Sequence, residues 1–412
     1  MTDGTIGWFA GVDWGSEQHQ VCILDCAGEV KGERAFPHGG AGLAALCDWL
    51  VGTAGDPCSV AVAIEVPHGP VVDALLDRGF AVNAINPKQL DRLRDRFSVA
   101  GAKDDRRDAR VAAAGLRTDP HLFRHVQIGD PIVIELREWS RLAAELQQER
   151  VRLGNRIRQQ LWRYYPQLLA LTDDVAAEWM LELWMIAPTP AKAARLRETT
   201  LTRLLKQHRI RKISAETALG ILRAPILKVA AGVTEAAVLH LRSLVARLRL
   251  ANRELRQAER SLDELCATLT QTKTASTTAP SDAAILASLP GVGTIVLAAL
   301  LTEAPGPLAR RDYDALRTLS GVAPVTKRSG KTCIVVMRYA AQIRLRQAVF
   351  HWARGAVQND PKSHSRYQAL RARGHSYGRA LRGVADRMLG IACVLLQRRE
   401  LFDPQHNVTA TA

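Results

Sequence analysis

Apolar and polar positions change rhythm along the chain. The first stretch holds three short runs: Phe9-Ala-Gly-Val-Asp-Trp14, the alternating segment His19 to Leu24, and Val30 to Phe36 beyond a turn at Gly28. Apolar runs of this length, bounded by Gly and Asp, predict buried strands. Helical spacing follows over Ala41 to Leu50. Then come a small-apolar run, Ser59-Val-Ala-Val-Ala-Ile64, a helix near Val71 to Leu76 and one more strand over Ala81 to Ile85. Three successive strands, then strand and helix in alternation, predict a mixed sheet with helices on its faces.

From Ile132 the period becomes helical. Trp139, Leu142, Leu146, Leu153, Ile157, Leu161 and Tyr164 fall on one stripe. Further on, Leu241, Leu248, Leu255, Leu262 and Leu269 recur every seven residues, with Leu244, Ala251, Ala258 and Leu265 at the second seam position. That repeat predicts a coiled coil. The spacing fits an intermolecular coil and an antiparallel hairpin with the first helix equally well. Residues 172–234 form a helical insert carrying the basic stretch Lys206-Gln-His-Arg-Ile-Arg-Lys212. Residues 273–282 (KTASTTAPSD) are small, polar and proline-containing, as a linker is. The expected organisation is an α/β domain over 1–130, an all-α coiled-coil region over 131–272, the linker, and a mostly helical domain over 283–403.

Charge changes the picture. The 412 residues carry a formal net charge of +15, with a pI near 9.9. A chain this basic meets a polyanion. Residues 338–399 hold 13 basic residues, twelve Arg and Lys362, against two acids, Asp360 and Asp386. Arg344, Arg346, Arg371 and Arg373 lie there, interleaved with Phe350, His351, Trp352, His364, Tyr367, His375 and Tyr377. Arginine forks suit phosphates and aromatic rings suit bases, so this region is a candidate nucleic-acid surface. No run of about 18 apolar residues exists, which argues against a membrane partner. The opening residues lack a basic segment of the secretory type. Seven scattered cysteines, with no CxxC pair, form neither a disulfide framework nor a structural zinc site. A cytoplasmic protein is expected.

Four acids stand out by position. Asp13 ends one predicted strand, and Glu65 ends another in Ala63-Ile-Glu-Val-Pro67. In Lys103-Asp-Asp-Arg-Arg-Asp-Ala109, Asp105 and Asp108 are three apart, on one face of a helix. Carboxylates converging from strand ends and a helix are what Mg²⁺ or Mn²⁺ needs, since these ions take hard oxygen ligands and bridge to phosphates. Taken alone, Asp104-Asp105 also reads as a helix cap.

Near the C-terminus, Leu289-Pro-Gly-Val-Gly293 precedes an apolar helix, Ile295 to Leu301. Gly291 and Gly293 in this context predict a helix-hairpin-helix whose amides approach a phosphate. Beyond Leu319-Ser-Gly-Val-Ala-Pro324 comes Lys327-Arg-Ser-Gly-Lys331, which sets Ser329 among Lys327, Arg328 and Lys331. A hydroxyl among cations suits phosphoryl chemistry, although a passive turn has the same residues.

Together, Gly11-Val-Asp-Trp-Gly15, Ile64-Glu-Val-Pro67 and Lys103-Asp-Asp-Arg-Arg-Asp-Ala109 resemble the DEDD transposases of bacterial insertion sequences, the IS one-ten family that includes Piv-like DNA invertases. The mixed sheet suits the RNase H-like fold, and the resemblance implies its RuvC-like form. By position it implies metal ligation by Asp13, Glu65, Asp105 and Asp108, with Asp104 where the family often has Thr. It also implies a nucleophilic serine at Ser329, with Ser320 as the runner-up. The usual Ser-Ser-Gly-Gly of the family is here Arg328-Ser-Gly-Lys331. Donor and target DNA, a structured guide RNA, a homodimer or homotetramer, nucleoid-associated action and a site shared between protomers are further implications. The alternatives are a RuvC-like nuclease or junction resolvase with no covalent serine step, and a non-catalytic nucleic-acid-binding protein.

Overall fold

The computed structural model describes residues 6–96, 104–126, 130–271, 279–330 and 332–405. The chain forms two compact units, Met1–Asp130 and Pro131–Ala412.

The first unit runs β1 (Trp8–Asp13), β2 (Gln18–Asp25), β3 (Val30–Pro37), α1 (Gly40–Ala54), β4 (Val60–Ile64), α2 (Pro70–Asp77), β5 (Ala81–Ala84), α3 (Pro87–Asp95), α4 (Asp105–Thr118) and β6 (Arg124–His125). The six strands lie in the order β3-β2-β1-β4-β5-β6. β1 pairs with β4, and β4 with β5, in parallel, while the other pairs are antiparallel. Alternation along each strand divides two cores. Ala10, Val12, Val60, Val62, Ile64 and Val82 pack with Leu46 and Leu50 of α1 and with Val72 and Leu75 of α2. On the opposite face Ala61 and Ala63 pack with Leu90 and Leu93 of α3 and with Val111, Ala112 and Leu116 of α4. The small residues on this second face let α4 come very near. A Cβ on Gly11 would lie 1.9 Å from the Ala109 carbonyl oxygen, so only glycine fits beneath the helix.

The second unit runs α5 (Pro131–Tyr164), α6 (Glu178–Ile186), α7 (Pro190–Ala194), α8 (Glu198–Gln207), α9 (Ala215–Leu222), α10 (Val233–Gln271), α11 (Asp282–Ala287), α12 (Thr294–Glu303), α13 (Pro305–Ala309), α14 (Tyr313–Leu319), β7 (Val325–Ser329), β8 (Thr332–Val336), α15 (Ile343–Asn359), α16 (Pro361–Ala372) and α17 (Tyr377–Arg398). The two long helices, α5 and α10, pack antiparallel. Leu153, Ile157 and Leu161 meet Leu241, Leu244 and Leu248 in one core, while Leu136, Ala143 and Leu146 share another with Ala258 and Leu262. The leucine seam is therefore spent within the chain, and of the two arrangements open to the sequence the hairpin is the one formed. Arg150 Nε donates to Asn252 Oδ1 across it at 3.2 Å, and Asn252 Nδ2 donates to the Ala176 carbonyl at 2.9 Å. Leu142 departs from the expected stripe. It is exposed, and Ala143 takes the inward place seven residues after Leu136.

The ends of this hairpin organise the rest. The N-terminal half of α10 and the C-terminal half of α5 enclose helices α6, α8 and α9 of the insert. The other ends share a core with α11, α12, α15 and α17, centred on the fully buried Trp352. The expected linker falls mostly outside the described residues, which resume at 279. No helix among the described residues is long and apolar enough to cross a membrane.

Candidate active site

The acids singled out in the first unit lie on β1, just after β4, and in the first turn of α4. In β1 the residues facing α4 are Phe9 and Gly11, and strand alternation continues this face to Asp13. In β4 the corresponding residues are Ala61 and Ala63, and the next place belongs to Glu65. The parallel register pairs Val12 with Ile64, so Asp13 and Glu65 lie one residue beyond on neighbouring strands. The Ala109 carbonyl lies over Gly11, and Ala112 and Leu116 group with Phe9. Helix α4 therefore begins at the end of the sheet that carries Asp13 and Glu65, and its first turn brings Asp105 and Asp108.

The four acids are not equivalent. Asp104 is the N-cap of α4, its carboxylate accepting from the Arg106 amide, which accounts for one of the two adjacent acids. Asp105 is exposed, and Asp13 and Glu65 are half-buried. Asp108 is buried, at 2% exposure, and both its oxygens are engaged. Arg94, in the last turn of α3, donates from Nε to Oδ1 at 2.6 Å and from Nη2 to Oδ2 at 2.8 Å. Its remaining nitrogen, Nη1, donates to Asp91. Among the described residues no three His, Cys, Asp or Glu side chains are gathered closely enough to share an ion in this arrangement. The donor set fits Mg²⁺ or Mn²⁺ in its chemistry, being carboxylate alone. In its geometry, Asp108 is committed to Arg94. Sequence reasoning missed Arg94, because nothing in Leu90-Asp-Arg-Leu-Arg-Asp-Arg96 sets it apart from Arg92 or Arg96.

Ser329 lies far along the chain, in the second unit. The segment around it is a β-hairpin of β7 and β8. Ser329 ends β7 and pairs with Thr332 of β8, and Gly330 makes the turn at φ 55°. Lys327, Arg328 and Ser329 are all exposed on it, while Lys331 lies outside the described residues, as does Lys103 of the first unit. Ser320 is different. It is 1% exposed at the end of α14, and its hydroxyl donates to the Arg317 carbonyl at 3.4 Å. Of the two serines, only Ser329 has a hydroxyl open to a macromolecular substrate.

The expected nucleic-acid residues divide in the same way. Arg373 lines a shallow recess with Lys362, Ser365, Arg366 and Arg387, and no carboxylate lines it. Arg344 is half-buried in the first turn of α15, and Arg371 is exposed, donating to the His375 carbonyl at 3.3 Å. Arg346 is tied to the backbone, donating to the carbonyls of Arg338 and Tyr339 at 2.9 and 2.8 Å. Trp352 corrects the expectation of base stacking. Its ring is wholly buried, and Nε1 donates to the Pro290 carbonyl at 3.0 Å, because α15 turns that face to the core. Gly291, between α11 and α12, has φ 81°, and a Cβ there would meet the Ala356 nitrogen at 2.4 Å. Its glycine is required by packing on α15, whereas Gly293, at the start of α12, is exposed.

Two family models match separate stretches of the chain. Residues 10–166 match a transposase family model, that of the IS110-type DEDD transposases, and residues 283–368 match the transposase IS116/IS110/IS902 family. The protein assigned as transposase of the IS117 mini-circle in Streptomyces coelicolor is 31% identical over 418 residues, covering 98% of this chain and 97% of its own length. The 43.6 kDa protein of insertion element IS110, from the same species, is 26% identical over 409 residues, 97% of this chain and 96% of its own. A protein of Sinorhizobium fredii assigned as a transposase is 60% identical over 209 residues, and that match spans 50% of this chain and 58% of the relative. With one model over the acids, the second over most of the helical C-terminal region, and a near full-length relative at 31% identity, the chain belongs to the IS116/IS110/IS902 family of transposases.

Proposed function

We propose that this chain cuts and rejoins DNA at specific sites, using metal-bound acids of an RNase H-like, RuvC-like unit together with Ser329 as nucleophile. The observation that carries the reading is that Asp13 ends β1 and Glu65 directly follows its parallel neighbour β4, while the first turn of α4 holds Asp105 and Asp108. The strand order β3-β2-β1-β4-β5, antiparallel through the first three strands and parallel after, supports the RNase H-like assignment. The exposed Ser329 beside Lys327 and Arg328 supports the second half.

A divalent ion held by Asp13, Glu65, Asp105 and Asp108 would supply positive charge to a scissile phosphate. The serine hydroxyl attacks phosphorus, a serine–phosphate ester forms, and the bond to one sugar oxygen breaks. A free hydroxyl end of the partner strand then displaces the serine and reseals the backbone. Because the ester keeps the energy of the broken bond, no ATP is needed. Lys327, Arg328 and Lys331 offset phosphate charge around the serine. Gly291, Gly293, Arg344, Arg346, Arg371 and Arg373 belong to the nucleic-acid surface of this reading, with Gly291 and Arg346 shaping it from within. Donor and target DNA are the substrates, a structured RNA of the element is the guide, and a dimer or tetramer working at the nucleoid brings acids of one protomer to the serine of another. The leucine seam of α10 is used within the chain, so assembly draws on other surfaces.

The test is to trap the reaction on a nicked substrate and map any protein–DNA adduct. An adduct on Ser329, lost in Ser329→Ala along with strand exchange, is expected. Because Ser329 is exposed, this variant should keep its stability within about 0.5 kcal/mol. Efficient exchange by Ser329→Ala, with no adduct in the wild type, would establish the metal-only route instead.

A further inference from the structure

We propose that Arg94 is the resident counter-cation of Asp108, and that a divalent ion binds by displacing it. The inference rests on the metal reading above, and concerns a residue that reading does not use.

A buried carboxylate without a cation is among the least tolerable groups in a protein interior. Asp108 is 2% exposed, so its carboxylate is costly to bury without a cationic partner. The structure supplies one. The Arg94 fork takes both oxygens, at 2.6 and 2.8 Å, in the two-point geometry that makes guanidinium–carboxylate pairs strong. A carboxylate engaged on both oxygens in this way has little left to offer an ion. Asp108 therefore serves one cation or the other.

The surroundings of Arg94 suit a residue that leaves. Its side chain is 23% exposed, so the guanidinium has a path to water. Nη1 already donates to Asp91, whose carboxylate is 64% exposed on the same helix and gives the arginine a second partner three residues back. Asp108 stays where it is, fixed by the packing of Ala109 over Gly11. An ion approaching Asp108 thus meets a carboxylate held by its helix and an arginine that already has Asp91 as a second partner.

Competition has a measurable consequence. When a site is occupied by an internal partner, the apparent affinity of an outside ligand falls by the fraction of molecules in which the site is open. Removing the partner raises it. The experiment measures Mn²⁺ binding to the full-length chain by the electron paramagnetic resonance signal of free Mn²⁺, with thermal unfolding alongside, for wild type, Arg94→Gln, Arg94→Lys and Asp108→Asn. Arg94→Gln is expected to bind Mn²⁺ about fivefold more tightly, or better. Without metal its unfolding temperature falls below that of the wild type, and on adding Mn²⁺ it rises by more. Arg94→Lys, which keeps the charge but loses the fork, falls between, and remains the informative variant if Arg94→Gln does not fold without metal. Asp108→Asn loses the site. Equal or weaker Mn²⁺ binding by both Arg94 variants would overturn the proposal and make Arg94 a fixed support of Asp108. A wild type and variants that all lack a saturable Mn²⁺ site would instead overturn the metal reading itself.

Discussion

His19 and Asp108 are both polar side chains 1–2% exposed, yet they are accommodated in opposite ways. Asp108 is paired with the guanidinium of Arg94, while His19 faces a second imidazole, that of His38, whose Nδ1 lies 3.0 Å from its Nε2. Burial, and then the proximity of His38, holds the His19 pKa below its usual value. The sign of the effect follows from linkage. The unfolded chain takes up a proton near the ordinary histidine value of about 6.5, and the folded chain resists it. Stability from this residue is therefore full above pH 6.5 or so and is lost as the pH falls further. The thermal midpoint should drop between pH 7 and pH 5.5, and drop less steeply in His19→Gln. An identical pH slope in that variant would assign the effect to other groups. Neither partnership was legible in the sequence. Histidine in an alternating strand and aspartate on a helix were visible, but the identity of the group facing each depends on packing between elements far apart in the chain. Trp352 misled for the same reason. A tryptophan in an arginine-rich helix invites a surface role, and only the seating of α15 against Pro290 and Gly291 turns it inward.

At the scale of elements, periodicity carried most of the first unit. The strands at 8–37, 60–64 and 81–84 follow from apolar alternation, and the two-residue β6 from nothing a pattern reveals. The β7–β8 hairpin was readable in principle, since β-branched residues flank a Gly-Lys pair of the kind that closes two-residue turns. The density of charge there drew attention to chemistry and away from the backbone. The α10 heptads gave the helix and its buried stripe but not the partner, because an antiparallel helix of the same chain satisfies a leucine seam as well as a second chain does. The structure gives α5 that place, with Leu248 fully buried against it. Leu248→Ala should accordingly cost about 2–5 kcal/mol of stability in the second unit. It should leave the hydrodynamic size of the folded protein unchanged. A shift to a smaller species with the unfolding temperature retained would mean that the seam joins two molecules after all.

For the molecule as a whole, the governing fact is where the charge lies. Of a net +15, an excess of 11 sits within residues 338–399, and the structure divides those cations by what they already do. Arg346 is spent on backbone carbonyls, and Arg317, just outside the region, is paired at both ends with Asp386 at 3.0 and 3.1 Å. Lys362, Arg366, Arg373 and Arg387 line one recess with no acid among them, Lys362 also donating to the Pro404 carbonyl and Arg366 to that of Gly383. A duplex bound by such groups sheds about 0.9 counterions for each phosphate neutralised, and the logarithm of the binding constant falls with the logarithm of salt in proportion. If three of these cations each meet a phosphate, the combined variant Lys362→Gln, Arg366→Gln and Arg387→Gln should flatten that slope by about 2.7. It should weaken binding to unrelated sequences to a similar degree, since phosphate contacts position a protein without reading sequence. Arg346→Gln should behave differently, lowering the unfolding temperature through the backbone it ties while changing the salt slope little. The measurement is fluorescence anisotropy of labelled duplex DNA from 50 to 200 mM salt, repeated with structured RNA. A triple variant with the wild-type slope on both would exclude this recess from the nucleic-acid surface and move the contact to the exposed cations of the β7–β8 hairpin.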